Sequence, residues 1–396
     1  MTHNIFEYAV IGAGLTGSAA AKYISESTPN TVLIGPSEPK DKKNHKGIYG
    51  SHYDEGRITR ISDSHYGWSY LAKKSIENYN LIKSESDIDF YEEVGTLSIG
   101  TADYINELME TFNKVDYDFS THENFDLSNT YKYLKFPQNS HFVFESKQAG
   151  HISPRKLVEA QKQIFKLNGG TYVNDFVINI KKSNGIFIIK TNNNTTFKAK
   201  NILVSTGGFT NFTNILTNDL PTKVRGRTII LGEVKSEYIN DLKNYPSFIH
   251  KPNESNREYT YCLPAIKYPN GKTYIKIGGS KHFTHINTYQ EAINWFKGKI
   301  NSIEIEAITN ELNMIYDQNL FNSYHSDTCV TTWTQTTYPI IDEVEDNLFV
   351  SVGGNGSAAK SSDYIGQISA NFITHGKWDT NLDRNLFTLS SNQFIG

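Results

Sequence analysis

The sequence predicts an α/β fold, and three observations carry that expectation. At the N-terminus a β-type run, a glycine turn, a small-residue helical stretch and a second β-type run follow one another within about 30 residues. Further β-type runs recur along the chain, at 172–181, 185–191, 199–205, 274–278 and 338–342. The 396 residues are enough for two to three domains, and a hydrophobic content of 38% supplies their cores.

The first strand is read from Phe6 to Ile11, the turn is Gly12-Ala13-Gly14-Leu15-Thr16-Gly17, the helix runs through Ser18 to Ser25, and Thr31 to Ile34 forms the second strand. This is the context in which Gly-x-Gly-x-x-Gly binds a dinucleotide. Gly12 permits the tight turn, Gly14 admits the pyrophosphate to the backbone, and Gly17 lets helix and strand approach. The helix N-terminus then offers free N–H groups and a positive dipole to the phosphates. An empty unit of the same shape is the alternative. One departure is visible at the end of the second strand, where an acid for the ribose hydroxyls is expected and the chain reads Ile34-Gly35-Pro36-Ser37-Glu38. Either Ser37 or Glu38 reaches the ribose from the loop, or the nucleotide is held differently and Glu38 is a solvated charge.

Charge and composition narrow the partners. Thirty-nine Lys and Arg stand against 42 Asp and Glu, a formal charge of −3, so no basic excess points to nucleic acid or an anionic membrane. Small-molecule partners are expected. Only Cys262 and Cys329 occur, too few for a disulfide framework and without metal-ligand spacing. No metal is expected, and a reducing, cytoplasmic setting is. No run of about 18 apolar residues is present, so no spanning helix is expected either.

Beyond the glycine turn, Gly50-Ser51-His52-Tyr53-Asp54-Glu55-Gly56-Arg57-Ile58-Thr59-Arg60 resembles the signature of monomeric sarcosine oxidase and its relatives, in the D-amino-acid-oxidase superfamily of flavoproteins. Three further stretches agree with it. Tyr274-Ile275-Lys276-Ile277-Gly278 is similar to the strand bearing the oxygen-activating lysine, and Thr328-Cys329-Val330-Thr331 to the segment bearing the flavin-linked cysteine. Gly353-Gly354-Asn355-Gly356-Ser357-Ala358-Ala359-Lys360 is similar to the final glycine turn and substrate-anchoring lysine. All four stand in the family's order across nearly the whole chain.

The resemblance implies FAD as cofactor and a role for each residue, beside which the bare chemistry is open. Arg57 and Arg60 are three apart and would face one site on a helical backbone; a solvated basic loop is the alternative. By resemblance Arg57 lies over the flavin and Arg60 on a substrate carboxylate, which a guanidinium's planar fork suits. Lys360 is implied as the second cation on that carboxylate; alone it reads as an exposed lysine opening the last helix. Gly353, Gly354 and Gly356 bring backbone N–H groups to the flavin's pyrimidine edge, Ser51 is implied beside the cofactor, and Val173 holds the adenine through its backbone. Tyr274, Lys276 and Gly278 alternate with Ile275 and Ile277, so Lys276 faces away from the isoleucines. It is either exposed or, as the resemblance implies, a cation that stabilises superoxide. Cys329 stands 24 residues before Gly353, as in relatives whose cysteine bonds the flavin 8-methyl carbon; a small buried hydrophobe beside non-covalent flavin is the alternative. Cys262 reads as core.

Departures from the family fall in the pocket. Tyr53 stands where a histidine is usual, Thr331 where a tyrosine is, and Ser280 where a second histidine is. Tyr261 resembles the remaining pocket tyrosine. The family architecture implies a Rossmann-like FAD-binding domain (GR2-type), residues 1–85, 151–215 and 321–396, interleaved with an α+β substrate domain, 86–150 and 216–320, whose antiparallel sheet roofs the flavin. Ile152-Ser153-Pro154-Arg155 opens a helix, with Ser as cap and Pro in the first turn. The implied activity is oxidation of a carboxylate-bearing amine, an N-alkyl or cyclic amino acid, by a monomeric enzyme using oxygen and releasing peroxide. A dehydrogenase with another acceptor and a non-catalytic FAD-binding protein are the alternatives.

Overall fold

A computed structural model describes residues 5–117, 130–136, 140–252, 259–298 and 302–392. Two eight-stranded sheets dominate it. In the first, the strands run in the order Ile340–Glu345, Leu348–Val352, Thr196–Val204, Ile5–Ile11, Thr31–Ile34 and Thr171–Val173, with Ile186–Thr191 and Val177–Ser183 branching from Thr196–Val204. Its central pairs are parallel. Parallel strands carry helices on their faces, and here the helices are Leu15–Ser27, Pro154–Leu167 and Ala358–His375. The expected cap is present: Ser153 Oγ accepts from the Lys156 N–H, with Pro154 in the first turn.

The run of small residues after Gly17 has a packing reason. Ala19, Ala20 and Ala21 have no exposed surface, and a Cβ added to Gly366 of the last helix would lie 2.4 Å from that of Ala19. The two helices therefore meet at small residues. Beneath them Lys22 pairs with Asp363 at 2.8 Å, both buried, and Gln161, Tyr23 and Asn78 complete the acid's hydrogen bonds.

The second sheet is antiparallel except for one pair. Its order is Thr284–Ile286, Lys223–Val234, Thr273–Gly278, Thr260–Lys267, Ser247–His250, Thr96–Gly100 and His141–Glu145, with Phe321–Trp333 along the other edge of Lys223–Val234. The segment 321–333, grouped with the cofactor domain in the sequence reading, is thus a strand of this second sheet. Its pairing over twelve positions has no local sequence signal. One face buries Ile230, Ile275, Ile277 and Cys262 against Ile308, Leu312 and Tyr316, helix Ser302–Ile315 lying across it. Cys262 is core, as expected. The other face carries Lys276 and Tyr261, and the Arg57–Thr59 strand, paired with Gly150–Ile152, passes close to it. Among the described residues no helix is long and apolar enough to cross a membrane.

Candidate active site

A cleft with some 1450 Å³ of unfilled space, including its open mouth, runs between the sheets. Among the residues named from the sequence it is lined by Gly12, Gly14, Ser51, Tyr53, Arg57, Cys329, Thr331, Gly353, Gly354 and Gly356. Segments more than 300 residues apart therefore meet on one cavity.

The glycine turn fits a dinucleotide for separable reasons. Gly12 has φ +109°, and a Cβ there would lie 2.3 Å from the Ser205 carbonyl oxygen. A Cβ on Gly17 would lie 1.8 Å from the Gly12 oxygen, so Gly17 sits beneath the turn rather than in the cleft. At Gly14 the nearest atom is His52 Nδ1 at 3.6 Å. Among the described residues none crowds that position, which opens onto the cleft. The helix behind it starts without a side-chain cap, which leaves its first N–H groups for an anion.

Gly35 explains the missing acid. A Cβ at that position would fall 2.3 Å from the Ala13 nitrogen, inside the phosphate turn. The loop residues proposed to replace it are engaged: Glu38 forms a two-pronged pair with Arg155, at 2.5 and 2.7 Å, and Ser37 bonds Asn174 and Tyr172. Val173 accepts from the N–H groups of Gly35 and Asp175, and Phe176 and Val177 provide the cleft surface beside it.

The 50–60 segment is tied down at each step. Ser51 Oγ donates to the Val330 carbonyl at 3.0 Å and accepts from the Val330 N–H at 3.1 Å, which clamps this loop to the Cys329 strand. Tyr53 donates to the Pro36 carbonyl at 3.0 Å, making it a wall of the cleft. His52, given no role from the sequence, also lines the cleft; burial, followed by the charges of Lys162 and Arg155, lowers its pKa to about 3, so its imidazole is neutral. Cys329 is partly exposed to the cleft. Thr331 accepts from the Trp333 indole N–H at 2.8 Å.

Arg57 and Arg60 do not share one face. Arg57–Thr59 is extended rather than helical, so the two guanidiniums diverge into two clusters. In the first, Arg57 pairs with Asp54 and donates to the Ser51 carbonyl at 2.8 Å. The same Asp54 oxygen accepts from Lys276, which also donates to the Gly56 carbonyl at 2.7 Å. Lys276 has no exposed surface, so the alternative of a solvated sheet face is excluded. Burial and the Arg57 charge push its ammonium well down, and Cys329 and Asp327 oppose them. Tyr261 stands beside it, with room made by Gly278, where a Cβ would lie 2.5 Å from the phenol oxygen.

The second cluster brings Arg60 and Lys360 together. Both donate to the Ser62 carbonyl oxygen, Lys360 from 3.3 Å. Lys360 is 5% exposed, not a surface lysine, and pairs with Asp63 at 3.0 Å. Burial, assisted by Arg60 and opposed by Asp63, lowers its pKa to about 8. Burial disfavours the Asp63 anion, but the Lys360 charge, His65 and Arg60 together hold its carboxyl well below the usual range. Glu145 accepts from the N–H groups of Ile61 and Ser62 and fixes the loop. Asp54 and Asp63, the counterions of both clusters, carried no role in the sequence reading.

A family model described as FAD dependent oxidoreductase matches residues 7–372. Monomeric sarcosine oxidase of Bacillus sp. (strain NS-129) is 23% identical over 399 aligned residues, covering 97% of this chain and 96% of that protein. Among solved structures, NikD, an unusual amino acid oxidase essential for nikkomycin biosynthesis, superposes with a TM-score of 0.74 at 14% identity, covering 97% of each chain. L-proline dehydrogenase from P. horikoshii gives 0.73 at 16% identity, over 98% of this chain and 97% of that one. With a glycine turn that fits a dinucleotide and a family match across most of its length, the chain belongs to the FAD dependent oxidoreductases and uses FAD.

Proposed function

We propose that the chain is an oxidase of an amine bearing a carboxylate, an N-alkyl or cyclic amino acid. The observation that carries this reading is the convergence of Arg60 and Lys360 on one carbonyl, that of Ser62, just beyond the Gly353–Gly356 turn. Bound FAD supplies the acceptor for a hydride from the substrate α-carbon. Arg60 and Lys360 hold the carboxylate so that the α C–H faces the cofactor, replacing random encounter by orientation. Their two positive charges lower the pKa of the substrate ammonium, and the amine must be neutral to release hydride. The product imine is hydrolysed by water. Lys276 supplies positive charge where oxygen is reduced to peroxide.

Cys329, on the cleft wall, is the residue for a thioether to the flavin 8-methyl carbon. Such a link would hold the cofactor through the Cys329 sulfur and would need a two-electron oxidant, which oxygen could supply. A specific observation favours a second reading, a dehydrogenase passing electrons to a carrier: Lys276 is already paired with Asp54. The test is a screen of N-methyl and cyclic amino acids, following flavin bleaching without air and peroxide with air. Bleaching with peroxide supports the oxidase, bleaching without peroxide the dehydrogenase, and no bleaching by any carboxylate-bearing amine overturns both.

A further inference from the structure

The strand Lys223–Val234 places two more arginines on the face of the antiparallel sheet that carries Lys276, which Leu231 of the same strand faces across the pairing. Arg225 pairs across to Thr331, and Arg227 to Cys329, both of which line the cleft. Directly paired residues present their side chains to the same face. The two arginines differ in what they do. Arg227 is occupied, donating to the carbonyls of Ser280 at 2.7 Å and His282 at 3.1 Å. Arg225 has no carboxylate partner among the described residues. Its guanidinium lies between two rings, 4.3 Å from the centre of Phe283 and 4.4 Å from that of Trp333. Its Nε is buried and has no hydrogen-bond partner among the described residues.

A guanidinium stacked between aromatic faces is held in orientation while its N–H edge stays free for a two-pronged anion. A buried N–H without a partner is costly, and a ligand that satisfies it recovers that cost. Arg60 and Lys360 meet at the Ser62 carbonyl, a cluster in which Arg225, stacked on Phe283 and Trp333, takes no part.

Building on the carboxylate clamp proposed above, we infer that Arg225 binds a second carboxylate, at the end of the substrate remote from the amine, and that the substrate is a dicarboxylic amino acid. The Thr331 hydroxyl, which accepts from the Trp333 indole N–H, holds the ring on which Arg225 stacks.

The test uses the FAD-loaded enzyme and non-oxidisable acids, with binding read from the perturbed flavin absorbance. Succinate, glutarate and adipate are compared with monocarboxylates of the same chain length. At least one diacid is expected to bind tenfold or more tightly than its monoacid. Arg225→Gln is expected to abolish that preference with monoacid affinity unchanged, and Arg225→Lys to restore part of it. Lys360→Met is expected to weaken both acids. A preference that survives in Arg225→Gln, or a wild type with none, overturns the second site while the clamp stands if Lys360→Met still weakens monoacids. Equal weakening of all acids in Arg225→Gln and Arg225→Lys marks Arg225 as structural and overturns it too. Monoacid binding indifferent to Lys360→Met overturns the clamp reading itself.

Discussion

The charge state of Lys360 makes the carboxylate clamp testable by pH. Its ammonium, ordinarily near 10.5, is lowered to about 8, chiefly by burial. At about 1.36 kcal/mol per pH unit that displacement corresponds to about 3 kcal/mol against the charged form. The sign follows from linkage. Because the folded pKa lies below the unfolded one, the penalty is present in full below about pH 8. It is relieved as pH rises from 8 to 10.5, where the unfolded chain binds more protons. Stability of the wild type relative to Lys360→Met is therefore expected to rise across that window, by up to about 3 kcal/mol. Carboxylate binding runs the other way, since it requires the ammonium. The affinity of a non-oxidisable carboxylic acid is expected to be flat up to about pH 8 and then to fall about tenfold per unit, or about 1.4 kcal/mol each. In Lys360→Met the profile is expected to be flat and the affinity at pH 7 lower by about 2 to 4 kcal/mol. Flavin difference spectra give the affinities, and urea unfolding gives the stabilities. Identical pH profiles for acid binding in wild type and mutant would refute the assignment of Lys360 to the carboxylate.

Other expectations follow from single contacts. Gly17→Ala puts a Cβ 1.8 Å from the Gly12 oxygen and is expected to cost about 1 to 3 kcal/mol together with FAD content. Gly14→Ala meets open cleft and should leave the unfolding temperature of the apoprotein within about 2 °C, while FAD affinity drops at least tenfold by fluorescence titration. Cys329→Ser should release all flavin on acid precipitation, and wild-type protein should retain it; complete release from fully loaded wild type sinks the thioether. Lys276→Met should slow reoxidation by oxygen by orders of magnitude and change anaerobic reduction by less than about tenfold, as stopped-flow absorbance can show.

What the sequence made legible was what short stretches determine. The phosphate turn depends on Gly12, Gly14 and Gly17, whose spacing is local. The alternation around Lys276 was readable because Ile275 and Ile277 both need a core. The helix at Ser153-Pro154 announced itself through its cap. What stayed hidden depends on distant chain. Asp54 reads as a loop acid until the 273–278 strand arrives 222 residues later and sets Lys276 against it. Asp63 meets Lys360 across 297 residues. Gly35 looked like a lost acid because its clash with Ala13 exists only once the two strands are side by side. Arg57 and Arg60 were separated by a backbone that pairs with Gly150–Ile152, a partner no local pattern names.

The two hidden acids act alike, and that similarity has a physical basis. A buried cation without a counterion would be strongly destabilising or would lose its proton. Each cluster solves this with one carboxylate between two cations: Asp54 between Lys276 and Arg57, Asp63 beside Lys360 and facing the Arg60 charge. At the Ser62 cluster Glu145, which accepts from the Ser62 hydroxyl, adds a second buried carboxylate facing Arg60 and Lys360, so the two cations there are held by two acids. Replacing Asp63 by Asn would remove one of these two acids and depress the Lys360 ammonium further, so the gain in attraction for a carboxylate would be offset by loss of the proton that provides it. Asp63 thus sets the pH range over which the clamp is charged.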